Sequence, residues 1–134
     1  MQVEKEKRFA LASSEDVVII RQAVRQWAAE LGFGLVDQTK LVTAASELAR
    51  NTVIYGGGGS GSLEAIRDLT RRGLRVTFDD NGPGIADIEQ AMKDGFTSGS
   101  GLGLGLGGAK RLTDEFGIQS HVGQGTRVWF IRWR

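Results

Sequence analysis

The sequence predicts a single α/β domain over residues 1–134, in which helices and antiparallel strands are mixed (α+β). Two stretches carry apolar residues at helical spacing behind a start signal, and two pairs of short runs, one alternating cleanly, are joined by turn residues. Glycine is the third observation, at 20 of 134 residues, about twice its usual ~7% share. Fourteen of these glycines lie within 56–61, 82–84 and 95–108, a clustering that argues for local purpose rather than general flexibility.

Taken in order, Phe9 to Ala12 is a short apolar run expected as an edge strand. Ser13-Ser14-Glu15-Asp16 has the form of a capping box, a Ser followed three residues later by an acid. The helix that follows presents Val17, Ile20, Val24, Trp27 and Leu31 as one stripe, with Trp27 in the core and Gly32 as the terminating residue. Asp37 or Thr39 opens a second helix running to about Tyr55, with Leu41, Ala45, Leu48, Thr52 and Tyr55 inward. Glu47 and Asn51 are four apart and share a second face of it; taken alone, that pair also suits a solvated helix edge, with Arg50 pairing a surface acid. Gly56 to Gly61 reads as a connecting loop. Ser62 to Arg67 and Leu74 to Asp79 read as a hairpin connected by Asp68 to Gly73. Its second strand, alternating cleanly, delivers Asp80 at a strand end. Ala86 to Asp94 is a short helix with Ile88, Ala91 and Met92 inward. Gly95 to Ser100 is too polar and glycine-rich for an element and suits either an ordinary loop or a lid over a ligand. A last helix resumes near Leu104, with Leu106, Ala109, Leu112, Thr113 and Phe116 as its stripe. Ile118 to Val122 and Thr126 to Trp133 close the chain as a hairpin turned at Gly123-Gln124-Gly125. The final strand is apolar on both faces, Val128 and Phe130 against Trp129, Ile131 and Trp133, so one face meets the helices and the other is left as a possible contact surface.

Composition excludes several classes of function. A net charge of +1 gives no electrostatic case for a nucleic-acid partner. The absence of cysteine removes disulfides, thiolate zinc sites and Cys nucleophiles. No apolar run approaches the ~20 residues needed to span a bilayer, and no apolar signal core stands at the N-terminus, so a cytoplasmic location with no membrane partner is expected. His121, the only histidine, lies in a strand without a partner motif and reads as structural.

The chemistry concentrates between Asp80 and Gly108. Glycines let a backbone approach a ligand closely, and successive free N–H groups at a helix start make an anion site. The run Gly101-Leu102-Gly103-Leu104-Gly105 therefore reads as a phosphate cradle. Asp80, ahead of Asn81-Gly82-Pro83-Gly84, suits a neutral group with N–H donors such as a base. A Walker A loop is absent, because Lys110 follows Ala109 rather than the glycine. Gly103-x-Gly105-x-x-Gly108 matches a dinucleotide fingerprint in letters only, since neither the preceding strand nor the later acid is in place. The H-R-D and D-F-G elements of protein kinases are missing as well.

What remains is a helical Glu47-x-x-x-Asn51, then Asp80-x-Gly82-x-Gly84, then the polar segment, then Gly101-x-Gly103-x-Gly105, then Gly123-Gln124-Gly125-Thr126. This order resembles the GHKL superfamily of ATPases and kinases. The phrases Ser46-Glu-Leu-Ala-Arg-Asn51, Asp94-Gly-Phe and Lys110-Arg-Leu-Thr-Asp-Glu-Phe116 are similar to the RsbT serine kinases, the switch kinases of the bacterial stressosome. The resemblance implies a two-layer α/β sandwich with helices on one face of a mixed, mostly antiparallel sheet. It implies ATP bound with Mg²⁺, Asn51 as the Mg²⁺ ligand and Glu47 as the general base for a serine hydroxyl. It assigns Asp80 to the adenine amino group, Gly82 and Gly84 to close passage by the base, and Gly101, Gly103 and Gly105 to phosphates. Thr126 falls near the adenine, and Arg50 is a further candidate for holding phosphate. The implied partners are a STAS-domain substrate of the stressosome scaffold and a PP2C-type phosphatase, with a homodimer possible. The alternatives are an anti-sigma factor of the related RsbW kind, which shares the ATP site and sequesters a sigma factor, and an ATP-binding interaction module without transfer activity.

Overall fold

The computed structural model describes residues 1–93 and 105–134. The elements are β1 (Gln2–Leu11), α1 (Ser14–Glu30), α2 (Leu35–Ile54), β2 (Gly59–Asp68), β3 (Arg71–Asp80), α3 (Ile88–Ala91), α4 (Gly105–Arg111), β4 (Glu115–His121) and β5 (Gly125–Trp133). The strands form one sheet in the order β1-β2-β3-β5-β4, and all four pairings are antiparallel. Its helix-facing side follows the alternation of β3: Leu74, Val76 and Phe78 point inward, with Leu63 and Phe130 opposite Val76 and Val128 opposite Phe78. Ile20, Val24 and Trp27 of α1 and Leu41, Ala45 and Leu48 of α2 cover them, completing the two-layer sandwich. Each such large side chain contributes about 1.5–3 kcal/mol by leaving water.

The two long helices keep their expected stripes and move at their ends, while Met92 lies past the end of α3 and Leu112 and Thr113 past the end of α4. Ser13 is the N-cap of α1, but its side chain makes no capping bond. Asp16 instead accepts the Ala12 N–H at 2.8 Å. Gly32, at φ +89°, follows the Leu31 C-cap as expected. The second helix starts at Leu35, behind Gly34, earlier than either Asp37 or Thr39. Asp37 is spent elsewhere: its carboxylate accepts from Arg132 of β5 at 2.6 Å. The last helix ends at Arg111, so Phe116 belongs to β4 while still packing on the core.

The strands are longer than their apolar letters suggest. β1 is an edge strand, as expected, but begins at Gln2, and its positions up to Arg8 are exposed. Its core-side Lys5 lies at the rim of the helix layer, with the ammonium 4.3 Å from the Trp27 ring centre and 3.3 Å from Glu30. Charges along an edge discourage pairing with another chain. Gly59 and Gly61, expected in a loop, start β2. A side chain at Gly61 would come within 2.5 Å of Ile20, so glycine lets α1 lie close on the sheet. The β2–β3 connection shortens to Leu69 and Thr70, with Leu69 at φ +58°.

The two apolar faces of β5 divide cleanly. Val128 and Phe130 join the core. Trp129 lies against Gly117 and Trp133 against Gly73 on the opposite face, where a Cβ would collide with either ring. Arg71 sits 4.0 Å over the Trp133 ring, and Ile131 is buried on the same face. The expected lid, 95–100, falls outside the described residues, as do Gly101 and Gly103.

Candidate active site

A cavity of about 430 Å³ opens between α2, the end of β3, the segment after it, α3, α4 and β5. Five of the residues singled out in the sequence line it: Asn51, Asp80, Gly84, Gly105 and Thr126. Tyr55, Gly56, Asp87 and Gln90 line it too, over an apolar floor that includes Leu48, Phe78 and Val128. This size and mixture suit a small organic ligand.

Asp80 ends β3 directly opposite Thr126 of β5. Its Oδ1 accepts the Gly82 N–H at 2.9 Å, which fixes the carboxylate against the turn. The turn is crowded: a Cβ on Gly82 would stand 2.7 Å from the Gly56 backbone, and one on Gly56 would collide with the Asp80 carboxylate. Both glycines are therefore needed for the loop after α2 to pass this close to the acid. Gly84, at φ +79°, turns the chain past His121.

Ser120 was not signalled by the sequence. Its Oγ accepts the Ile85 N–H at 2.7 Å, donates to the Gly125 carbonyl at 3.2 Å and pairs with Thr126 Oγ1 at 2.8 Å. The Gly123 N–H donates to the Pro83 carbonyl at 2.8 Å. Together these bonds clamp the final hairpin onto the Asp80 turn and set Thr126 at the cavity wall. Beside them Arg127 binds Asp79 at 2.6 Å, a hydrogen bond that, with the charge, raises the guanidinium pKa above its ordinary value.

Glu47 is not a solvated edge; it is 7% exposed. Its Oε1 accepts the Gly105 N–H at 3.0 Å, and its Oε2 accepts from Arg50 Nη2 at 2.9 Å. A buried carboxylate needs such partners, because an unpaired charge away from water is strongly destabilising. Glu47 also borders a second cavity of about 350 Å³ between α1 and α2, together with Val17, Arg21, Val42, Thr43, Ser46 and Arg50. It thus stands between two openings: Gly105 belongs to the wall of the first and Arg50 to that of the second.

Among the described residues no group of three His, Cys, Asp or Glu could hold a metal ion. The first cavity offers carboxylates at Asp80 and Asp87 and neutral amides at Asn51 and Gln90, and an amide such as Asn51 would suit a Mg²⁺ that keeps phosphate oxygens and waters as its remaining ligands. Among the described residues no helix is long and apolar enough to cross a membrane.

A helix bearing Glu47 and Asn51, an acid at a strand end before spaced glycines, and a glycine-led helix around one cavity define a nucleotide-binding ATPase-type domain. Residues 36–134 match the family model described as "Histidine kinase-, DNA gyrase B-, and HSP90-like ATPase", and the chain belongs to that family. Within it, the chain is 49% identical over 118 residues to "Serine/threonine-protein kinase RsbT" of Bacillus subtilis (strain 168), covering 88% of this chain and 89% of that one. This likeness makes it a member of the RsbT kind of serine/threonine-protein kinase. It is 29% identical over 129 residues to an "Anti-sigma F factor" of Clostridium novyi (strain NT), covering 92% and 90% of the two chains. A solved structure of the RsbU and RsbW domains of Rv1364c from Mycobacterium tuberculosis superposes with a TM-score of 0.68 at 22% identity. That match covers 97% of this chain and 33% of the other, and concerns the fold alone.

Proposed function

We propose that this chain transfers the γ-phosphate of ATP to a serine of a STAS-domain protein in a stressosome scaffold, and then activates a PP2C-type phosphatase by binding it. The observation that supports the transfer best is the place of Glu47, buried against Gly105 of the nucleotide cavity and open to the second cavity. In this reading the adenine amino group donates to Asp80, Thr126 lies beside the base, and Gly82 and Gly84 let the chain pass close to it. Asn51 would hold Mg²⁺, which would supply charge neutralisation at the phosphates. Gly101 and Gly103 are assigned to the phosphates, while Gly105, whose N–H is engaged by Glu47, lets the chain pass close to them. The acceptor serine arrives from the side of the second cavity. Its Oγ forms the new bond to the γ-phosphorus, the bond from that phosphorus to the β-phosphate oxygen breaks, ADP leaves, and the hydroxyl proton passes to Glu47. Phosphoryl transfer is mostly positioning and charge neutralisation, so one base and one metal ligand are sufficient side-chain chemistry.

The test is Mg²⁺-dependent transfer of labelled γ-phosphate to candidate STAS proteins, with Glu47→Gln as control. Label on a STAS serine that falls about 10²–10⁴-fold in the variant is the expected result. Adding the dephosphorylated and phosphorylated STAS protein to a PP2C-type phosphatase with this chain then reads the second role: activation is expected only after phosphorylation frees the kinase. A second reading, an anti-sigma factor kinase that sequesters a sigma factor, draws on the similarity to several anti-sigma F factors. Capture of a sigma factor, with no label on any STAS protein despite ATP binding, would put that reading first.

A further inference from the structure

We infer that Arg50 is a positioning residue for Glu47 rather than a ligand of the nucleotide's phosphates. The inference rests on the reading of Glu47 as the base. On α2, Asn51 is four residues after Glu47 and Arg50 three, so they project about 40° to one side of it and about 60° to the other. The structure follows that division: Asn51 belongs to the wall of the nucleotide cavity and Arg50 to that of the second cavity. Arg50 Nη2 donates to Glu47 Oε2 at 2.9 Å, while the Gly105 N–H holds Oε1 at 3.0 Å. One donor on each oxygen fixes the plane of a carboxylate that would otherwise swing on three side-chain torsions. The guanidinium is the outer member of the pair, 46% exposed against 7% for Glu47. It therefore braces the base from the side where an acceptor hydroxyl would arrive, and its charge is already answered by the carboxylate. A base must sit within about 2.6–3.2 Å of the proton it takes, so loss of this brace costs turnover rather than nucleotide affinity.

The experiment measures Mg²⁺-ATP affinity, KM for ATP and kcat for transfer in Arg50→Ala, Arg50→Lys, Glu47→Gln and the Arg50→Ala/Glu47→Gln double variant. Arg50→Ala is expected to lower kcat about tenfold or more, with ATP affinity and KM within about twofold of the parent. Arg50→Lys keeps the charge without the planar fork, and an intermediate kcat is expected. In the Glu47→Gln background, Arg50→Ala is expected to change the residual rate by less than about twofold, because its effect runs through the carboxylate. A drop in ATP affinity of about fivefold or more with kcat retained at saturating ATP overturns the inference, as does an equal loss in both backgrounds. If the parent protein labels no acceptor, the proposed function fails; the ATP affinity of Arg50→Ala still decides the question here, unchanged binding keeping Arg50 off the phosphates and weakened binding overturning it.

Discussion

At Asp80, one oxygen is already engaged by the Gly82 N–H at 2.9 Å, which leaves the other for the adenine amino group in the proposed reading. This makes Asp80→Asn a sharper substitution than its size suggests. The asparagine oxygen keeps the Gly82 bond, and the amide NH₂ then faces the adenine amino group, donor against donor. A lost charge-assisted bond with an unsatisfied group costs about 1.5–3 kcal/mol, so ATP affinity is expected to fall about tenfold or more, read by nucleotide titration. Transfer at saturating ATP should be largely kept, the opposite pattern to Glu47→Gln. Equal loss of ATP affinity in both variants would contradict these separate roles. Asp80 was legible from its own local motif, an acid ahead of spaced glycines, and the places of Asn51 and Thr126 at the cavity were legible through the family resemblance. Two features of the site were not. The burial of Glu47 depends on Gly105, 58 residues away in the chain, and a helix-edge acid carries no local sign of that contact. Ser120 is a single serine in a strand, and its clamp on Ile85, Gly125 and Thr126 exists only once the hairpin is folded.

Among the elements, the β2–β3 hairpin carries a local conflict. Leu69 holds φ +58° in its turn and is 89% exposed. A side chain in that left-handed region costs about 1–2 kcal/mol, and Leu69 returns little packing for it. Glycine removes the strain while adding about 0.4–1 kcal/mol of unfolded-state entropy. Leu69→Gly is therefore expected to stabilise the chain by about 0.5–1 kcal/mol, seen as a melting temperature a few degrees higher; a lower one would show that the Leu69 side chain holds the hairpin in some other way. The same turn marks where sequence reading reached its limit. Alternation in Leu74, Val76 and Phe78 and the stripes of α1 and α2 reported the core because those positions really alternate between core and water. Turn length was misjudged because Arg71, Arg72 and Gly73 pair in the sheet without apolar letters. β1 was cut short for the same reason: Lys5 and Lys7 occupy core-side positions at the rim, where a long charged side chain serves as well as an apolar one.

Across the whole molecule, α2 joins stability to chemistry. One side of it buries Leu41, Ala45, Leu48 and Thr52, while Asn51 and Tyr55 reach the nucleotide cavity and Glu47 ties the helix to α4. A ligand in that cavity touches α2, β3, α3, α4 and β5 at once and so binds only the assembled fold. Native-state binding stabilises by about 2.7 kcal/mol at a ligand concentration 100 times Kd. For a chain of this length, Mg²⁺-ATP at that concentration is expected to raise the melting temperature by about 8–10 °C. The metal's share can be separated. If Asn51 is its protein ligand, as proposed, Mg²⁺ would add little alone and most of its effect through the phosphates. Chelation with EDTA should therefore remove a large part of the ATP-induced rise and leave the nucleotide-free melt unchanged. In Asn51→Ala, the rise with ATP should be small and the same with or without Mg²⁺. GTP should raise the melting temperature much less than ATP, since its O6 would face the Asp80 carboxylate, acceptor against acceptor. An ATP shift indifferent to Mg²⁺ in the parent protein would remove Asn51 from its metal role while leaving Asp80 and the base untouched.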